Sequence, residues 1–185
     1  MKKIILGICV VFLFIGCTTK VQTDIKPYVT LHQNEVENLS INFIGVNDKR
    51  DTQIVSTIYN DNKIENQYSL SSNVQKWYQE AFKREFENAK MLNNKNVSGI
   101  DVIVNITKIS AKYTKYSLDS KNMSANIKIE LVIKKDDKTI TSQIETNQTL
   151  YKPMILDAEG FESILNEGMR DSVSKTVAIL IEKIK

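Results

Sequence analysis

The chain has 185 residues, 42% of them hydrophobic and 25% charged, which suits one folded domain and argues against disorder, collagen-like repeats and a disulfide scaffold. Lys and Arg number 25 against 22 Asp and Glu, but Lys2 and Lys3 sit in a leader, and the remaining 23 against 22 give no electrostatic footprint for nucleic acid. One histidine (His32), two cysteines and six scattered glycines leave little material for a metal site, for histidine catalysis or for a phosphate loop.

The first element is the leader. Met1-Lys2-Lys3 precedes an apolar run from Ile4 to Ile15 and the pair Gly16-Cys17, the three parts of a secretory signal. The run is shorter than the roughly 20 residues a transmembrane helix needs. Phe14-Ile15-Gly16-Cys17 resembles the bacterial lipobox, with Phe where Leu is commoner. That resemblance implies cleavage after Gly16, diacylglycerol on the Cys17 thiol and acylation of the new amine, including by palmitate. One acyl chain holds a protein only marginally and two hold it stably. Cys9 leaves with the leader and Cys17 is capped, so the mature chain is expected to have neither free thiol nor disulfide. Thr18 stands where Asp would favour inner-membrane retention, so the expected location is the periplasmic face of the outer membrane, with surface display the alternative.

Residues 17–38 read as the lipidated cysteine and a flexible tether, with a short edge strand around 28–31. At about 3.3 Å per extended residue the tether would reach roughly 60 Å from the bilayer. From Leu39 the pattern is that of one domain, 39–185. Leu39, Ile41 and Phe43 alternate with polar residues as in a half-buried strand, and the stretch from Gly45 to Asp51 breaks the run. A β-branched strand over 54–59 turns through Asn60-Asp61-Asn62-Lys63 into a weaker one over 64–68. Ser71, Ser72 and Asn73 offer N-cap oxygens for a helix in which Val74, Trp77, Tyr78, Ala81, Phe82, Phe86 and Ala89 share a face. Three strands follow. Ile100, Val102, Val104 and Ile106 share one face of the first, with Ile103 and Ile109 on the other. Ala125 to Ile133 alternate with polar residues in the second, and Lys135-Asp136-Asp137-Lys138 turns into the third. A long helix begins near Asp157, with Phe161, Leu165, Met169, Val173, Val177, Leu180, Ile181 and Ile184 as its stripe, weakened at Gly160 and Gly168. The sum is an α+β fold, an antiparallel β-sheet with two amphipathic helices packed on one face as a two-layer sandwich.

A lipobox, a strand ending in Asn47-Asp48-Lys49-Arg50, a hairpin into the Trp77 helix, Ile103-Val-Asn-Ile-Thr-Lys-Ile109, an alternating strand pair and Leu165-Asn166 on the last helix follow in order. This arrangement resembles the YajG family of bacterial lipoproteins over nearly the whole chain. The resemblance implies a location and a fold and no reaction. The layout also looks like that of other periplasmic auxiliary lipoproteins, LptE-type and transporter-auxiliary ones among them, at the level of fold alone.

The candidate sites are few. Asp48 and Arg50 are read as a carboxylate–guanidinium pair that orders a turn or shapes a recognition loop. Lys112, Tyr113, Lys115 and Tyr116 interleave cations with aromatics next to a loop, a composition suited to a protein partner, a glycan or lipid headgroups. Asn147 lies in Glu145-Thr146-Asn147-Gln148-Thr149, an extended bacterial N-glycosylation pattern that also falls on a strand. Trp77, Tyr78 and Phe82 are read as core, or as the lining of a lipid groove. No metal or cofactor is expected, and no triad or supported dyad points to an enzyme. The expected function is a non-enzymatic binding or scaffold module of the cell envelope, held to the bilayer by Cys17 and engaging an envelope protein. A lipid- or glycan-binding module and an auxiliary subunit of a trans-envelope machine, such as a transporter or flagellar motor, are the alternatives.

Overall fold

A computed structural model describes residues 21–23, 25–29, 39–60, 63–70, 73–92, 99–114, 122–151 and 158–185. It holds strands β1 (Val21–Thr23), β2 (Asn42–Asp48), β3 (Ile54–Asn60) and β4 (Lys63–Leu70), helix α1 (Val74–Asn88), strands β5 (Ile100–Thr114), β6 (Asn122–Lys135) and β7 (Lys138–Tyr151), and helix α2 (Ala158–Ile184). Seven strands form one sheet in the order β1-β4-β3-β5-β6-β7, with β2 also on β5.

The α+β architecture is as the sequence predicts, but the sheet is mixed where a wholly antiparallel one is expected. β5, β6 and β7 form an antiparallel meander, and β3 pairs antiparallel with β4. β2 and β3, by contrast, both run parallel to β5, and β1 runs parallel to β4. The two strands β2 and β3 lie end to end along one edge of β5. Asp48 stands beside Ile106 and Ser56 beside Ala111, so eight residue steps on one side match five on the other. The surplus bulges out between the strands as residues 49–53, with the Lys49 amide donating to the Ile106 carbonyl at 2.8 Å.

Two irregularities decide which residues face the helices. At Gly45 (φ 148°) the β2 register slips, so β2 continues through the expected break as far as Asp48. Val46 then turns inward and Ile44 stays outside. A second slip between Ile106 and Lys108 moves Ile109 onto the core face, where it is buried with Ala111 and Tyr113. Ile109 therefore does not belong to the outer face.

α1 is built as its sequence suggests. The Asn73 side chain caps it by accepting from the Lys76 amide, which satisfies one of the orphan donors of the first turn. At its other end Lys90 takes a left-handed conformation (φ 55°), and the Met91 and Lys90 amides bond back to the Phe86 and Glu87 carbonyls, a Schellman closure. α1 packs over β2, while α2 crosses β6 and β7. Gly168 marks the closest approach of α2 to the sheet, since a Cβ there would lie 2.9 Å from Ile127 Cδ1. The glycine that weakens the helix in isolation is what lets it dock.

The segment assigned to the tether is partly in the fold. Val21–Thr23 pair with Tyr68–Leu70, Ile25 and Tyr28 are buried, and 25–29 cross the helices. Trp77 Nε1 donates to the Lys26 carbonyl at 2.9 Å, and the Lys26 amide donates to Asn166 Oδ1 at 2.9 Å. Of the strand expected near 28–31, residues 28 and 29 are not in a strand and 30 and 31 lie outside the described residues, while a strand forms at 21–23. This strap has no period to betray it, because it is held by single anchors and not by a repeating face.

Candidate functional site

Asp48 and Arg50 do form a pair. Arg50 Nε donates to Asp48 Oδ1 at 2.8 Å and Nη2 to Oδ2 at 2.7 Å, a bidentate fork. The site differs from a recognition loop in one respect: the Arg50 side chain is only 3% exposed and Asp48 19%. The β2 register puts Asp48 on the face of Val46, so the pair lies under the helices at the break between β2 and β3. The Arg50 side-chain hydrogen bonds, helped by its backbone amide and charge, hold the Asp48 carboxyl below its ordinary range against the opposing effect of burial. Arg50 also acts on the Tyr78 phenol, whose proton affinity is raised chiefly by full burial. Arg50 Nη1 has no acceptor among the described residues. What the bulge offers to solvent is Lys49, Asp51, Thr52 and Gln53.

The Lys112 to Tyr116 stretch divides. Lys112 is exposed, with Nζ 5.1 Å from the centre of the Tyr59 ring. Tyr113 is 4% exposed and belongs to the core, because strand alternation sends it to the helix side beside Ile58. It is not available to a partner. Lys115 and Tyr116 lie outside the described residues, as do Cys17 and His32. Asn147 is exposed in the middle of β7, and its Oδ1 accepts from Asn126 Nδ2 at 2.8 Å.

Trp77, Tyr78 and Phe82 form a packed column. Trp77 stands edge-on to Tyr28 and Tyr78, with centroids 5.7 and 5.0 Å apart, and Tyr78 stacks on Phe82 at 6.0 Å. Tyr78 and Phe82 have no exposure, and the Tyr78 hydroxyl meets Ser172 Oγ at 2.9 Å where α1 touches α2. These rings fill the space in which a lipid groove was one expectation.

Several features had no sequence signal. The Gln79 side chain accepts from the Val46 amide at 2.8 Å and Gln75 donates to the Val46 carbonyl at 2.7 Å, so α1 closes the free edge of β2. On the face away from the helices, Asn47, Asn105 and Glu130 are joined by side-chain bonds of 2.9 and 2.7 Å across β2, β5 and β6. Glu145 accepts from Asn126 and pairs with Lys128 at 3.1 Å, which lowers its carboxyl from the ordinary value. A polar groove of about 520 Å³ runs along α2 between Lys26 and Gln148, lined also by Glu167, Arg170 and Asp171. Among the described residues no three His, Cys, Asp or Glu side chains are grouped to hold a metal, and no helix is long and apolar enough to cross a membrane.

One edge of the sheet is unpaired among the described residues. Among the described residues β7 has a strand partner on one side only, over its whole 14-residue length.

A protein-family model described as an uncharacterized lipoprotein matches residues 27–178. The chain belongs to that lipoprotein family. Protein XCC0632 from Xanthomonas campestris has a similar solved structure, at a TM-score of 0.55 and 10% identity, covering 87% of this chain and 94% of that one. The family-model match begins at Pro27, inside the strap. Also similar are the hypothetical protein CT253 from Chlamydia trachomatis (TM-score 0.48, 9% identity, 77% and 95% covered) and rare lipoprotein B from Shewanella oneidensis (0.45, 7%, 69% and 94%). No curated protein sequence matches. The lipoproteins of this family belong to the cell envelope, and the likeness to XCC0632 bears on the fold alone.

Proposed function

We propose that this lipoprotein is anchored through acyl chains on Cys17 at the periplasmic face of the outer membrane. There it works without catalysis, as a docking module for another envelope protein. The observation that carries the reading is the open edge of β7. An unpaired strand edge presents a row of amides and carbonyls ready to accept an extended segment, and natural proteins usually blunt such edges. Here the opposite device is seen at β2, where two glutamines close the edge, while β7 is long and pairs with no described strand on its outer side. Its outward side chains at Thr141, Gln143, Glu145 and Asn147 are small or polar, which keeps the edge soluble while leaving the backbone accessible. Anchoring raises the local concentration at the membrane, so a weak strand contact suffices.

The packed column of Trp77, Tyr78 and Phe82 weighs against a lipid pocket between helix and sheet. An auxiliary role in a trans-envelope machine is the same docking function with a larger partner. The test is copurification from detergent-solubilised membranes, comparing the native chain with Thr141→Lys/Gln143→Lys, since edge lysines oppose strand addition. A partner retained by the native chain and lost from the variant, at unchanged thermal stability, supports the reading. Equal retention by both removes β7 from it.

A further inference from the structure

We infer that the corner of the domain where β3 turns into β4 rests on the bilayer, with Tyr59, Lys63, Ile64 and Lys112 against the phospholipid headgroups; this rests on the proposed acylation of Cys17. Chain length limits how far the domain can stand from the bilayer. Four residue steps separate Cys17 from Val21, the first residue of β1. Fully extended they span at most about 14 Å. β5 alone, at 15 residues, is roughly 50 Å long. The domain therefore cannot stand far off on a long tether, and one part of it is held at the membrane.

Register says which part. β1 runs parallel to β4, with Val21 beside Tyr68, so the chain enters β1 from the side on which β4 begins. Ile64 lies four residues before Tyr68, the same count that separates Val21 from Cys17. At this corner Ile64 is 57% exposed and is the register partner of Tyr59. Lys112 sits over the Tyr59 ring and Lys63 is exposed, with Glu65 the nearby carboxylate of β4. An exposed aliphatic side chain, a tyrosine and two lysines whose stems can lie on apolar surface are the composition of a membrane interface. The far end of the sheet is different: Lys134, Lys135, Asp136, Asp137 and Lys138 crowd the β6–β7 turn with both signs of charge.

The test uses the full lipidated protein in vesicles of phosphatidylethanolamine and phosphatidylglycerol. If Cys17 is acylated, Ile64→Cys and Asp137→Cys each carry one free thiol for a nitroxide, and collision with oxygen is compared with collision with a water-soluble nickel chelate. The expected result is an oxygen-to-nickel ratio several-fold higher at 64 than at 137, reduced by Lys63→Glu/Lys112→Glu. Equal ratios, with the intact mass showing acylated Cys17, overturn this orientation and leave the anchoring reading standing. A mass without acyl chains overturns both.

Discussion

Asp48 and Arg50 hold the break between β2 and β3 with a bidentate fork whose guanidinium is only 3% exposed. Their spacing announces a pair, and the fork is formed. Their burial was not legible, because it depends on the slip at Gly45 and on the break between β2 and β3, neither of which leaves a periodic trace. A guanidinium this enclosed is a structural clamp, and removing one partner leaves the other uncompensated. Arg50→Met should cost about 3 kcal/mol in chemical denaturation. The folded Asp48 carboxyl is held below its unfolded value, so its contribution is fully present above about pH 4 and is lost as pH falls through the lowered folded value. Asp48→Asn should therefore be less stable than the native chain at pH 6, with a shallower loss of stability between pH 5 and pH 2. Parallel curves would show that the pair is not coupled to folding. A second residue pair makes the same point for the strap. The Tyr28 hydroxyl donates to Glu85, which is fully buried in α1, and Arg84 Nη1 donates to the Tyr28 carbonyl at 3.0 Å. Tyr28→Phe removes a donor from a buried carboxylate and should lower stability by about 1–3 kcal/mol. A change under 0.5 kcal/mol would mean the strap is dispensable. Tyr113 is the instructive miss: its neighbours Lys112 and Lys115 suggested a surface, and strand alternation puts it inside.

Elements with a strong local period were the legible ones. α1 and its Asn73 cap, the β6–β7 hairpin at Asp136-Asp137 and the stripe of α2 all follow from spacing and turn chemistry, and Asp136 takes the positive φ (54°) that such a turn requires. The parallel pairings of β2 and β3 with β5 were hidden because they join residues 55 to 59 apart in sequence. Gly168 was read as a weak point and is a contact point. Gly168→Ala gains about 1 kcal/mol of helix propensity but drives a methyl into Ile127 Cδ1, which is buried and has little room to move. The single substitution is expected to lower thermal stability. Ile127→Val removes that δ-carbon, so Gly168→Ala/Ile127→Val should be more stable than the sum of the two single changes predicts. Strict additivity in this cycle would show that the contact is relaxed without cost.

At the scale of the molecule the parts fall into a consistent plan. One face of the sheet is sealed by α1, α2 and the strap, and the β2 edge is closed by Gln75 and Gln79. Among the described residues the outer edge of β7 and the polar outer face lie outside this cover. The family was legible because the order and composition of its elements are written along the chain. The unpaired side of β7 was not, since an edge is a relation among all seven strands. The account stands or falls on whether β7 meets a protein in the cell. A photo-crosslinking residue at Gln143 in the lipidated chain, with a matched one at Lys76 on the exposed side of α1 as control, measures this directly. The account predicts one protein adduct from position 143, absent from position 76 and abolished by Thr141→Lys. Adducts of equal yield from both positions, or adducts of lipid and glycan alone, would contradict it.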